Sequence, residues 1–201
     1  MKREKTRLMP ATVNLWLTKL GPFLGLALVI LIFAILTESP ERYLSPFNLR
    51  IVLSQTVIVA LGAIGMTMII ISGGIDLSVG SAIALTGVLT ALGIRDGLSP
   101  VVAVLIGIFG GGLIGLINGL AITRLKVVPF IATLGMLGIA RGMAKWLADQ
   151  QTVNVRPTWV NELAVTFPSP SWILLAPGVW LSILLAIFVA VILRNTVFGR
   201  R

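Results

Sequence analysis

The chain has 201 residues, 57% of them hydrophobic and 11% charged, with 16 Lys and Arg against 7 Asp and Glu for a net charge of +9. A water-soluble domain carries about 25% charge; with a mean hydropathy of +1.03, this chain cannot coat a soluble globule, and the bilayer is its natural solvent. It has no His and no Cys, which excludes thiolate and imidazole metal sites, disulfides and His-dependent nucleophiles. The basic residues sit at the ends of apolar runs rather than in a patch with aromatics, which argues against a nucleic-acid partner.

In chain order, Lys2, Arg3, Lys5 and Arg7 come first. The apolar run that follows, 20–36, leads into Thr37, Glu38, Ser39 and Pro40 without a small-x-small cleavage site. It reads as a retained membrane helix rather than a signal peptide. Residues 1–19 are expected to be a cytoplasmic leader. Leu15, Trp16 and Leu17 suit an interfacial stretch there, with disorder as the alternative. Residues 20–201 are expected to form one transmembrane domain. A span needs about 20 apolar residues to cross a core of about 30 Å. Six segments qualify or nearly do: 20–36, 51–72, 81–94, 100–123, 129–148 and 173–193. The third is short and must borrow from the residues before it.

The fold class expected is therefore an all-α, polytopic membrane protein of about six transmembrane helices, with a Gly-rich break between the second and third. Lys and Arg favour cytoplasmic loops. With the N-terminus inside and six crossings, the inner side holds ten: Lys2, Arg3, Lys5, Arg7, Lys19, Arg124, Lys126, Arg194, Arg200 and Arg201. The outer side holds four: Arg42, Arg50, Arg95 and Arg156. If 81–94 did not cross, the count would be seven against seven, so the charges favour six crossings. The longest polar interruption, 149–172, contains Pro157, Pro168 and Pro170. Trp146, Trp159, Trp172 and Trp180 lie in it or around it. It reads as an outer segment resting on the membrane.

Three features are able to carry function. The first is the break Ser72-Gly73-Gly74-Ile75-Asp76-Leu77-Ser78-Val79-Gly80. A carboxylate near lipid is costly and faces a cavity, a partner or water. Asp76 is readable as the N-cap of the third span, as a solute or gating contact, or as part of a solvated loop; Ser78 shares these readings. The second is the fourth span, where Gly107, Gly111, Gly115 and Gly119 recur every fourth residue. That spacing favours close helix packing. In the same span, Asn118 is able to bond across to another helix. The third runs from Pro129, which suits a first helical turn, through Thr133 to Arg141. Thr133 is able to bond its own backbone or a neighbour. Arg141 either snorkels outward, pairs inside the bundle or meets a polar solute. Gln55 in the second span is a weaker pore-lining candidate.

Enzyme chemistry has little to work with. An intramembrane aspartyl protease needs a second aspartate at membrane depth, and no Gly-x-x-x-x-Gly-Lys-Ser/Thr nucleotide loop occurs in the sequence. The expectation is no catalytic residue, no metal and no cofactor held by this chain.

Three segments, in matching order and spacing, resemble the permeases of bacterial ribose/xylose/galactose ATP-binding-cassette importers. They are Ile71 to Ser81, Gly115-Leu116-Ile117-Asn118-Gly119, and Pro129-Phe130-Ile131-Ala132-Thr133-Leu134-Gly135 followed by Ile139-Ala140-Arg141-Gly142. The resemblance implies a permease subunit for a monosaccharide or similar small polar solute in the bacterial inner membrane. It also implies a second permease copy or homologue, cytoplasmic ATPases that use the ATP, and a periplasmic or extracellular solute-binding protein. Asp76, Ser78, Asn118, Thr133, Arg141 and Gln55 then become solute-path candidates. In that family a stretch like Val197-Phe198-Gly199-Arg200 leads into a coupling helix and further spans, so the domain is expected to be C-terminally incomplete. Alternative readings are a non-transporting remnant or scaffold, and a permease for a nucleoside, a branched-chain amino acid or a furanose-like signal.

Overall fold

The computed structural model describes residues 11–168 and 174–196, with side chains from Leu20 onward. The expectations placed on residues 1–10, on the side chains of Leu15, Trp16, Leu17 and Lys19, on Pro170 and Trp172, and on 197–201 lie outside the described residues. Eight helices are described: α1 (Ala11–Leu36), α2 (Pro40–Tyr43), α3 (Pro46–Ile71), α4 (Val79–Arg95), α5 (Pro100–Thr123), α6 (Pro129–Leu147), α7 (Trp159–Glu162) and α8 (Pro177–Asn195). No strand occurs among the described residues.

Proline marks most of the starts. α2, α3, α5, α6 and α8 each begin on one, where the missing N–H is not needed and φ is already helical. This explains two differences from the expected spans. The second opens at Pro46 rather than 51 and takes Arg50 into the helix. The last opens at Pro177 rather than 173, because a helix rarely continues through the residue before a proline. The first helix also starts earlier than 20. Its backbone is helical from Ala11 and continues through Pro22.

α3, α5 and α8 are long and apolar enough to cross a membrane unaided. The apolar part of α1, Leu20–Leu36, and α4 are shorter. The 17 residues of α4 cover about 25 Å at 1.5 Å per residue, less than a full bilayer core. α6 has 19 residues and carries Arg141 and Lys145. Large apolar side chains such as Phe23, Leu36, Val59, Phe109 and Leu184 are exposed along these helices, which suits a lipid solvent.

The chain divides into two compact units, Met1–Leu49 and Arg50–Arg201. In the first, α1 contacts α2. Asn48 Nδ2 donates to the Tyr43 carbonyl at 2.8 Å, holding the entry into α3. In the second, α4 packs mainly on α5 and α6, which also touch each other. Leu85, Ile114, Met136, Ala140 and Ala144 form the core between them.

The α7 region ties two other helices of the second unit. Ser54 Oγ on α3 donates to the Ala164 carbonyl at 2.7 Å. The Gly178 N–H at the start of α8 donates to the Leu163 carbonyl at 2.8 Å. A side chain at Gly178 would meet that same carbonyl at 2.6 Å, so glycine permits the approach. Trp146, Trp159 and Trp180 near this region are exposed.

Candidate functional site

The site forms where α3 stops and α4 begins. α3 ends in a Schellman turn. Gly73 takes φ +83°, its N–H reaches the Ile70 carbonyl at 2.9 Å, and the Gly74 N–H reaches Ile69 at 3.0 Å. These bonds satisfy carbonyls that the helix end would orphan, and glycine accepts the left-handed conformation without a Cβ penalty. Residues 74–77 then run without regular structure to Val79. Such a break is tolerated at membrane depth only where protein or a cavity covers it.

Side chains from two helices, α5 and α6, converge on the break. Asp76 Oδ1 accepts the Ser78 N–H at 2.7 Å and the Ser78 hydroxyl at 2.6 Å. Ser78 Oγ in turn accepts from Asn118 Nδ2 on α5 at 3.0 Å. Thr133 on α6 donates to the Pro129 carbonyl at 2.9 Å, with a longer approach of 3.4 Å to the Ile75 carbonyl. Ser78 and Thr133 are each 1% exposed and Asn118 6%, so these bonds form away from solvent. Asp76 is only half-buried. Among the described residues no buried side-chain N or O lacks a partner.

Asp76 does not cap α4 as the sequence suggests. The N-cap is Ser78, and it makes no side-chain cap bond. Its hydroxyl is engaged by Asp76 and Asn118 instead. Asp76 closes a turn onto the N–H two residues on, just before the helical N–H groups begin.

Asp76 borders two clefts. One of about 490 Å³ is lined by Ile69, Ser72, Asp76, Asn118, Gly119 and Thr133, among others. The other, about 420 Å³, is lined by Gly62, Ile69, Asp76, Ser78, Gly111 and Gly115, among others. Asp76, Ile69 and Gly115 belong to both. A third cleft of about 600 Å³ continues along α4 and α5, past Thr86, Thr90, Gly107 and Gly111 to Val160 and Asn161.

The α5 glycines divide into two kinds. A Cβ at Gly107 would strike Thr90 Oγ1 and come within 3.1 Å of the Thr86 carbonyl; one at Gly111 would lie 3.3 Å from Thr86 Cγ2. Here the four-residue spacing gives the tight packing expected of it. At Gly115 and Gly119 a Cβ would meet nothing within 4 Å. No neighbouring atom fills the space beside these two, which differs from the packing role their spacing suggests.

Of the sequence candidates, Asp76, Ser78, Asn118 and Thr133 come together. Gln55 and Arg141 do not. Both side chains are exposed, and neither hydrogen-bonds within the described residues. Arg141 stands eight residues beyond Thr133 on α6, about 12 Å along the axis. Ser54, which no sequence pattern singled out, is the buried polar residue of α3. Ile69, Ser72 and Ile75 also line the cleft; they fall inside or beside the Gly-rich segment but carry no chemical signal of their own.

Comparison with known proteins gives a consistent picture. Residues 48–201 match a family described as branched-chain amino acid transport system / permease component. The chain is 39% identical over 191 residues to the ribose import permease protein RbsC of Bacillus subtilis, covering 91% of this chain and 55% of that protein. It is 32% identical over 176 residues to the autoinducer 2 import system permease protein LsrC of Photorhabdus luminescens, covering 88% and 52%. It is 36% identical over 154 residues to the D-allose transport system permease protein AlsC of Escherichia coli, covering 76% and 47%. The chain spans about half the length of these curated relatives. No solved structure matches it.

Proposed function

The chain belongs to the branched-chain amino acid transport system / permease component family of multi-pass membrane proteins, and on that premise we propose that it forms part of the permease subunit of an ATP-driven importer for a monosaccharide or similar small polar solute. One observation carries the reading: a hydrogen-bonded polar cluster, Asp76–Ser78–Asn118, lines clefts inside helices otherwise built for lipid. Polar groups at membrane depth are expensive and serve a path or a partner. Asp76, Ser78, Asn118 and Thr133 are assigned to the solute path; Gln55 and Arg141 stay outside it.

In this reading residues 1–19 are a cytoplasmic leader, and the rest is the transmembrane domain in the bacterial inner membrane. A second permease copy, cytoplasmic ATPases and a solute-binding protein complete the importer. The ATPases use the ATP and this chain holds no cofactor. The similarity to ribose and allose permeases supports a monosaccharide. The similarity to an autoinducer 2 permease favours a furanose-like solute as a second reading.

The test is uptake into proteoliposomes by the full-length subunit with its ATPase and binding protein. ATP-dependent accumulation of labelled D-ribose is expected. Accumulation of a branched-chain amino acid, with no sugar uptake, would overturn the reading.

A further inference from the structure

We propose that the second carboxylate oxygen of Asp76, Oδ2, holds a hydroxyl of a neutral solute in the clefts that Asp76 borders, and that it turns away anionic solutes. The inference rests on the importer reading and adds the chemical class the path selects. Oδ1 is fully occupied, accepting both the N–H and the hydroxyl of Ser78. Oδ2 accepts no hydrogen bond among the described residues. It is not a buried orphan, and its residue borders both clefts. A carboxylate oxygen is an acceptor only, so its natural ligand there is a hydroxyl or a cation.

The remaining lining narrows the choice. Neither cleft is lined by a Lys or Arg among the described residues. A solute of net negative charge would therefore meet a like charge with no counter-charge to bind it. The N-terminus of α4, at Val79, borders the second cleft and contributes about half an elementary positive charge. That is less than the full charge of Asp76 beside it. Ile69, Ile75, Ile122 and Pro129 supply apolar wall, and the Asn118 amide offers one more polar group within hydrogen-bond chemistry of a sugar. The set suits an uncharged, hydroxyl-rich solute and opposes an anionic one such as a sugar acid.

The chain has no cysteine, so an introduced thiol is unique. Ser72→Cys reports on the first cleft and Ala82→Cys on the second. With the full chain in nanodiscs, labelling by a cationic and an anionic methanethiosulfonate is compared, each normalised to free cysteine. The cation is expected to react at least about fivefold faster at both positions, from one unit charge at close range. Asp76→Asn, which keeps an acceptor for Ser78, should bring the ratio near one. On the Asp76 protein, which needs no variant at the carboxylate, D-ribose should slow labelling at least about twofold while D-ribonate does not. With Asp76→Asn, D-ribonate should begin to protect. Equal reagent rates with Asp76 in place, no protection by ribose, or equal protection by ribose and ribonate overturns the inference. If labelling behaves as expected but the full-length assembly imports no ribose, only the importer reading fails. Ribose uptake without a charge preference sinks the inference alone.

Discussion

One face of α5 does two different jobs along its length. Around Gly107 and Gly111 the missing side chains let α4 close onto α5, with Thr86 and Thr90 filling the space. Around Gly115 and Gly119, two turns further on, the same absence leaves room that nothing fills. The difference lies in the partner. In the first stretch α4 is a continuous helix running alongside. In the second, at the start of α4, Gly115 lines a cleft with Val79, Ala82 and Asp76, and Gly119 lines one with Gly74, Ile75 and Asp76 of the irregular segment. A repeat of small residues therefore says that something approaches closely or that space is needed; only the opposing element decides which.

The contrast is open to attack in four places, from the largest expected effect to the smallest. Gly107→Leu should lower stability by about 3 kcal/mol, the upper end for overpacking a closed interface, seen as a fall of several degrees in thermal unfolding in nanodiscs. Unfolding at the wild-type temperature would mean that the α4–α5 contact is not tight. Asn118→Leu should cost about 1–2 kcal/mol, since it removes the donor to the buried Ser78 hydroxyl. Amide exchange around Val79 and Gly80 should quicken with it, and unchanged exchange would deny that Asn118 holds the break. Thr133→Val should cost only about 0.5 kcal/mol, because its shortest bond is to its own helix and such bonds in membranes average near that value. A loss several times larger would point to the 3.4 Å approach to Ile75 as the stronger tie. Gly119→Ala should be neutral or gain up to about 0.8 kcal/mol from helix propensity. A destabilised Gly119→Ala would falsify the open half of the comparison.

Much of the fold was legible because apolar run length and proline speak directly. The bounds of α5 and the start of α6 follow from Pro100, Thr123 and Pro129. The misplaced starts of α3 and α8 came from weighing hydrophobicity over Pro46 and Pro177. The site was legible in part. Asp76, Ser78, Asn118 and Thr133 stood out as polar groups in apolar surroundings, and the structure gathers them. Arg141 stood out for the same reason but points elsewhere, since polarity marks an unusual residue without giving the direction of its side chain. Ser54 was invisible because a lone serine in an apolar helix is ordinary, and its bond to Ala164 spans a long stretch of chain. The split among the glycines could not be read, because one-dimensional spacing carries no information about what lies opposite.

The α7 region has a mechanical consequence. Adjacent carbonyls, Leu163 and Ala164, are gripped by α8 and α3 respectively. A displacement of either helix thus pulls on the other through a single peptide unit. α3 is also the helix whose end shapes the break carrying Asp76. The 158–166 elbow is thus bonded to the same helix, α3, that ends at the break carrying Asp76.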